Sequence, residues 1–158
     1  MSDPAEAVAD LADRYFQAGY NCAQAVLRAV AEAQGLACPQ CIPGVALAMG
    51  GGVGHTGCAC GAATGGVMAI GLAVHRLAPG GPLEKKQAAY GVAGRFVRDF
   101  AAKFGSADCR AILGFDWSEP DAMERARREN VKQVKCTPCV RWAAAETARI
   151  VDGLASPG

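Results

Sequence analysis

Eight cysteines stand in a chain of 158 residues. A thiolate is the form of cysteine that binds metal or attacks a disulfide. Cys60 has the most suggestive local setting. It follows Gly50-Gly51-Gly52-Val53-Gly54-His55-Thr56-Gly57 and directly precedes a helical pattern. Exposed amides and the helix dipole at such an end stabilise a thiolate and lower the thiol's pKa. Cys136-Thr137-Pro138-Cys139 forms a C-x-P-C pair at another expected helix start, suited to ligating metal or to acting as a poised dithiol. The βαβ surroundings of a thioredoxin-like motif are absent. Cys38-Pro39-Gln40-Cys41 makes a second C-x-x-C. Two such pairs could close a four-thiolate zinc or iron–sulfur site, although Cys41 and Cys136 lie much farther apart than in a zinc ribbon.

The remaining candidates divide by setting. Cys109, between Asp108 and Arg110 in a short connector, is better placed as a ligand than as core. Cys58 would share the Cys60 site or act as its resolving thiol. Cys22 lies on the buried stripe of a helix, where a plain core thiol is the competing reading. His55, beside Cys58 and Cys60, could ligate metal or donate a hydrogen bond, whereas His75 reads as structural or solvated. The glycine run contains G-x-G-x-x-G as Gly52, Gly54 and Gly57. A dinucleotide fingerprint needs a preceding strand and an acid about 20 residues later. That position falls near Leu77 and Ala78, and the next acid is Glu84, so the nucleotide reading is rejected. Gly52, Gly54, Gly57 and Gly61 are instead expected to let backbone approach a bound cofactor closely.

These residues must be positioned by helices. Val8, Leu11, Tyr15, Ala18, Cys22, Val26 and Val30 recur at spacings of three and four, which predicts one amphipathic helix from Asp3 to about Gly35. Residues 36–60 form a break holding a helical turn near Val45 to Met49. Val67, Ile70, Val74 and Leu77 mark a helix from about Gly61 to Leu77, ended by Pro79-Gly80-Gly81-Pro82. Its Gly65, Gly66, Ala69 and Ala73 leave one side thin enough for a neighbouring backbone. A third helix spans Leu83 to Phe104 with Gly105 as its stop. Ser118-Glu119-Pro120-Asp121 reads as the capped start of a charged helix reaching about Val134, with Glu124 and Arg128 as an i,i+4 pair. A last helix follows Cys136, with Val140, Ala144, Thr147, Val151 and Leu154 on its stripe. No alternating strand pattern occurs. The expected architecture is all-α, a single domain over 1–158 forming a bundle of about five helices with a Gly-rich loop.

Composition narrows the class further. A chain of this length buries about two-thirds of its unfolded surface, so it needs no disulfides to hold a core. The net charge of +1 argues against a nucleic-acid surface. The longest apolar candidate, Gly61 to Val74, is too short to span a bilayer, so no membrane role is expected. The start, Met1-Ser2-Asp3-Pro4-Ala5-Glu6, lacks a basic run followed by an apolar one, which predicts a cytoplasmic address. Thiols there stay mostly reduced, and the cysteine count then points to metal or redox chemistry.

Taken together, the residues resemble a bacterial and archaeal family of redox-active proteins named for its C…GCAxxG…C…C pattern. The likeness runs through Tyr20-Asn21-Cys22-Ala23-Gln24-Ala25-Val26-Leu27, Gly50 to Gly54, and Cys60-Gly61-Ala62-Ala63-Thr64-Gly65. It continues through Cys109-Arg110, Leu113-Gly114 and Cys136 with Val140-Arg141. The register that fits is C-G-A-x-x-G. The resemblance implies four principal cysteines, Cys22, Cys60, Cys109 and Cys136, and a redox role. A related domain accompanies an iron–sulfur centre in split-Soret-type cytochromes, which favours a cluster. Cys38, Cys41, Cys58 and Cys139 are additions to the family's core pattern and leave room for a larger or second metal site.

The resulting expectation is an iron–sulfur electron-transfer protein ligated by Cys22, Cys60, Cys109 and Cys136, with loop amides bonded to the sulfurs and an unidentified redox partner protein. The runner-up is a thiol–disulfide oxidoreductase or redox sensor using Cys136 with Cys139, or Cys58 with Cys60. A zinc- or copper-binding carrier is the third reading. A Gly/Ala-rich helix could also serve the seam of a homodimer.

Overall fold

The computed structural model describes residues 3–36 and 41–156. Among them the class is all-α, but the helices exceed the expected number of about five, because short helical segments accompany five long ones. In chain order they are α1 (Pro4–Gln17), α2 (Cys22–Gln34), α3 (Ile42–Val45), a 3₁₀ turn (Leu47–Met49), α4 (Gly50–Val53), α5 (Gly61–Leu77), α6 (Pro82–Phe104), α7 (Cys109–Leu113), α8 (Ala122–Arg128), a π-helical turn (Lys132–Cys136) and α9 (Thr137–Ala155). Cys38 lies outside the described residues. No described helix is long and apolar enough to cross a membrane.

The single helix expected from Asp3 to Gly35 is two helices. Gly19 adopts φ +106°, and Asn21 is extended and caps α2. Its side chain accepts from the Gln24 amide at 2.9 Å, while the Gln24 side chain accepts from the Asn21 amide at 3.0 Å. This reciprocal capping box satisfies two donors that a continuous helix would have bonded internally. The break therefore moves Cys22 from mid-helix to a helix N-terminus. The Asn21 amide group also donates to the Leu47 carbonyl at 2.8 Å, tying the Gly-rich segment to the same corner.

The core lies among α1, α2, α5 and α9, with α6 laid against α5. Its side chains are mostly small: Ala23, Ala25, Ala29, Ala62, Ala69, Ala73, Ala143 and Ala144 are all fully buried. Close approach replaces bulk. A Cβ built on Gly65 would stand 2.6 Å from the Ala23 carbonyl oxygen, and one on Gly66 would stand 2.5 Å from Phe96 Cζ. The thin side expected on α5 thus receives the backbone of α2 and a ring of α6. Larger side chains gather between α6 and α9, where Phe96 stacks on Trp142 at 5.8 Å and Phe100 meets Phe104 at 4.8 Å. That cluster fastens α6 to α9.

The segment after α6 departs most from expectation. Ser118 does not cap a helix. Its amide and hydroxyl both donate to the Asp116 carboxylate, at 2.9 and 2.7 Å, and the Asp116 amide donates to Glu119 at 2.9 Å. Aspartate competes well for such local bonds, so these residues form a tight turn and α8 begins only at Ala122. Its i,i+4 ion pair is Arg125 with Glu129 at 2.7 Å, in place of Glu124 with Arg128. α8 also stops well before Val134, because Asn130 takes left-handed backbone at φ +48°, a conformation asparagine tolerates better than most residues. Helical backbone then resumes as the π turn and runs into α9, with the Thr137 amide bonded to the Lys132 carbonyl. Cys136 is consequently inside continuous helix and not at an exposed helix start.

The glycine contacts predict opposite outcomes for two substitutions in α5. Gly65→Ala meets rigid backbone and is expected to destabilise by about 1–3 kcal/mol despite alanine's better helix propensity. Gly71 has nothing within 4 Å of its ideal Cβ, so Gly71→Ala is expected to stabilise by about 0.5–1 kcal/mol. Urea denaturation of the two variants checks the pair.

Candidate functional site

Cys22, Cys60, Cys109 and Cys136 reach one cavity of about 490 Å³, and Cys139 joins them there. Cys22 comes from the first turn of α2, Cys60 is the N-cap residue of α5, Cys109 opens α7, and Cys136 sits in the π turn ahead of α9. Apolar side chains including Phe16, Ile112, Leu113, Trp117, Met123 and Val131 complete most of the wall. Cys58 is exposed and near Arg110, whose Nη2 lies 4.0 Å from its sulfur. Cys41 is exposed and not part of the cavity wall. Among the described residues, no three His, Cys, Asp or Glu side chains converge closely enough to hold one metal ion.

The glycines separate in the same way. A Cβ on Gly61 would fall 2.3 Å from the Cys22 sulfur, and one on Gly52 would fall 2.6 Å from Cys109 Cβ. Both positions must be bare for those cysteines to stand where they do. Gly57 instead abuts Arg110, and Gly54 ends α4 with no close neighbour. Gly51 was not singled out by its motif, yet its amide bonds the Cys22 sulfur, and a Cβ there would collide with the His55 ring at 2.0 Å. The only sequence signal for it was its place in a run of three glycines. His55 lies parallel on Trp117, centroids 4.5 Å apart and planes 7° apart, which places it in the wall as a stacking residue. His75 is exposed on α5.

The thiols are electrostatically unequal. Cys60 is held below the ordinary value of 9.0, first by a hydrogen bond donated from the Cys139 S–H and then by the amides of Ala62 and Ala63, against the opposing effect of burial. The amides are those of the first turn of α5, as a cysteine at a helix start requires. Cys139 is pushed up because its proton serves Cys60 and because it is desolvated. Burial, with repulsion from the neighbouring thiols, pushes Cys22 and Cys136 up to about 12. Cys109 is raised chiefly by burial, with an opposing contribution from the Trp117 indole. The runner-up's expected pairs are therefore not those the geometry favours: Cys60 is hydrogen-bonded to Cys139.

Chemically, five thiols in a mostly apolar cavity, one of them disposed to ionise, can hold a thiophilic metal group or exchange disulfides. The family model described as "Putative redox-active protein (C_GCAxxG_C_C)" matches residues 20–150. Neither a curated protein nor a solved structure matches the chain.

In reduced, metal-free protein, the Cys60 thiol is expected to ionise at lower pH than the other thiols of the cavity. That ionisation should vanish in Cys60→Ser and move upward in Cys139→Ala, as followed by ultraviolet thiolate absorbance against pH. Stability carries the opposite signature at high pH. Cys22 and Cys136 stay protonated in the folded state up to about 12, while unfolded thiols ionise near 8.5. The unfolded state then binds fewer protons, so folding stability should fall as pH rises through that window. Denaturant midpoints measured across it check the sign.

Proposed function

The chain belongs to the C_GCAxxG_C_C family, and from that premise we propose that it is an electron-transfer protein holding an iron–sulfur cluster on Cys22, Cys60, Cys109 and Cys136. The observation that carries this reading is the convergence of thiols from separate segments on one largely apolar cavity. A cluster has its own volume and takes ligands spaced around it, whereas one zinc or copper ion needs its donors gathered at one centre.

The energetics of the thiols point in the same direction. Several thiolates facing one another in an apolar wall repel, and each loses hydration. Metal cations offset both costs and deprotonate the ligands as they bind. When bound, the cluster would supply one-electron redox chemistry. The chain's own part is to fix the sulfurs and the charge they feel. The Gly51 amide donates to the Cys22 sulfur. The Ala62 and Ala63 amides and the Cys139 thiol donate to the Cys60 sulfur. Such donors, together with the exclusion of water by the apolar wall, set the potential of a cluster.

One observation favours a second reading. Cys60 and Cys139 pair a low-pKa thiol with a hydrogen-bonded neighbour, the arrangement of an attacking and a resolving cysteine. In that reading the Cys60 thiolate attacks a disulfide and releases one of its thiols. Cys139 then displaces the other, leaving a Cys60–Cys139 disulfide.

Protein purified without oxygen is expected to be brown and to contain iron and acid-labile sulfide. Cys22→Ser, Cys60→Ser, Cys109→Ser and Cys136→Ser should each lose most of both, while Cys58→Ser keeps them. Elemental analysis and a sulfide assay read the result. Colourless, metal-free wild type would remove the cluster reading and leave the Cys60–Cys139 couple.

A further inference from the structure

Among the described residues, Trp117 is a cavity-wall residue whose buried side-chain nitrogen makes no full hydrogen bond. Its indole nitrogen is sealed from solvent and meets no acceptor at hydrogen-bonding geometry. Buried indole N–H groups ordinarily find a partner, because leaving one unmade costs about 1–3 kcal/mol. The ring is not loosely placed. It lies flat on His55 at 4.5 Å and edge-on to Phe115 at 5.2 Å. The bonds of Ser118 and Glu119 to Asp116 fix the turn that carries it. A rigid, buried donor without an acceptor, at the wall of a thiol-lined cavity, is explained if the acceptor is completed by what the cavity binds.

Cys109 is the thiol on which the indole acts, the only side chain whose hydrogen bonding opposes the effect of burial there. Both residues belong to the small apolar cluster of Cys109, Leu113, Phe115, Ala122 and Val131, against which Trp117 packs. A thiol sulfur is a weak acceptor. A metal-bound thiolate is charged, and bonds to charged acceptors are shorter and roughly twice as strong. We propose that Trp117 is the donor that completes the Cys109 position: its indole N–H bonds the sulfur at Cys109 when the site is loaded and raises the reduction potential of the bound group. This rests on the cluster reading above. The sign follows from charge, since reduction adds an electron and a donor stabilises the more negative state.

The test uses Trp117→Phe, which keeps an aromatic ring against His55 and removes only the N–H. In the anaerobically loaded full chain, this variant is expected to retain wild-type iron and sulfide. Its potential should fall by about tenfold in the one-electron equilibrium constant, or about 59 mV. In ¹⁵N-labelled wild type, the indole signal absent from Trp117→Phe should move downfield when the metal-free protein is reconstituted with iron and sulfide. A loaded variant with an unchanged potential, or an indole signal that does not move, overturns the proposal and leaves the cluster reading standing. If the wild type takes up no iron, the cluster reading falls on its own, and cadmium added to the metal-free protein decides the donor's role. A shift of the Trp117 signal that disappears in Cys109→Ala keeps the indole–sulfur bond. No shift with cadmium overturns it.

Discussion

The site depends on the absence of two side-chain atoms. α2 and α5 begin beside one another, and they can do so only because Gly61 has no Cβ to strike the Cys22 sulfur and Gly65 none to strike the Ala23 backbone. That contact juxtaposes two helix N-termini, one carrying Cys22 at its first position and the other carrying Cys60 at its cap. Helix N-termini present unbonded amides and the positive end of the macrodipole. They are therefore the ends of the fold best able to tolerate anionic sulfur. The remaining thiols arrive through tertiary contacts on that corner: the Gly52 backbone touches Cys109, and α9 packs against α1, α2 and α5 to bring Cys136 and Cys139 alongside.

The same proximity creates an electrostatic conflict. Thiols that could ionise freely in water repel one another here and lose hydration, so most of them are driven to the neutral form. Cys60 escapes because it alone combines two helix amides with a thiol donor. Without a bound cation, Cys60 is therefore the cavity thiol most readily ionised, beside neighbours held towards the neutral form. Cations would reverse the balance by turning repulsion among sulfurs into attraction towards a shared charge. Close packing of small residues and the charge demands of the cavity are thus one design problem, since the approach that concentrates the thiols also supplies the amides that stabilise one of them.

What the sequence revealed follows the range of the interactions involved. The α5 limits, Gly61 and Leu77, were legible because Pro79-Gly80-Gly81-Pro82 cannot continue a helix, and the end of α6 was legible because Gly105 adopts φ +83°. The break before Cys22 was obscured because the apolar spacing of α1 and α2 stays in phase across Gly19 and Asn21, although Asn21 with Gln24 is a capping pair in plain view. Ser118 misled because the same hydroxyl can cap a helix or close a turn, and Asp116, two residues earlier, decided for the turn. Cys139 as the partner of Cys60 could not be read at all. Their hydrogen bond joins the N-cap of α5 to the first turn of α9, and local spacing had pointed each of them to a nearer cysteine. Trp117 likewise carries no motif, and only the folded turn reveals where its nitrogen ends up.

The π turn explains why a C-x-P-C pair serves this cavity differently from a pair at a free helix start. In an exposed start, both sulfurs compete for the same unbonded amides. Here the chain enters α9 already helical, so the Thr137 amide is bonded to Lys132 and cannot serve a sulfur. Pro138, within the first turn, has no amide to offer. Cys136 accordingly has no amide among the influences on its thiol, which stays neutral under burial and repulsion, whereas Cys139 is turned to Cys60. Wide helical turns of this kind are rare and frequently mark functional sites. In this fold the turn parts two nearby cysteines into different roles, one a high-pKa thiol at the cavity wall and the other the hydrogen-bond donor that lowers the pKa of Cys60.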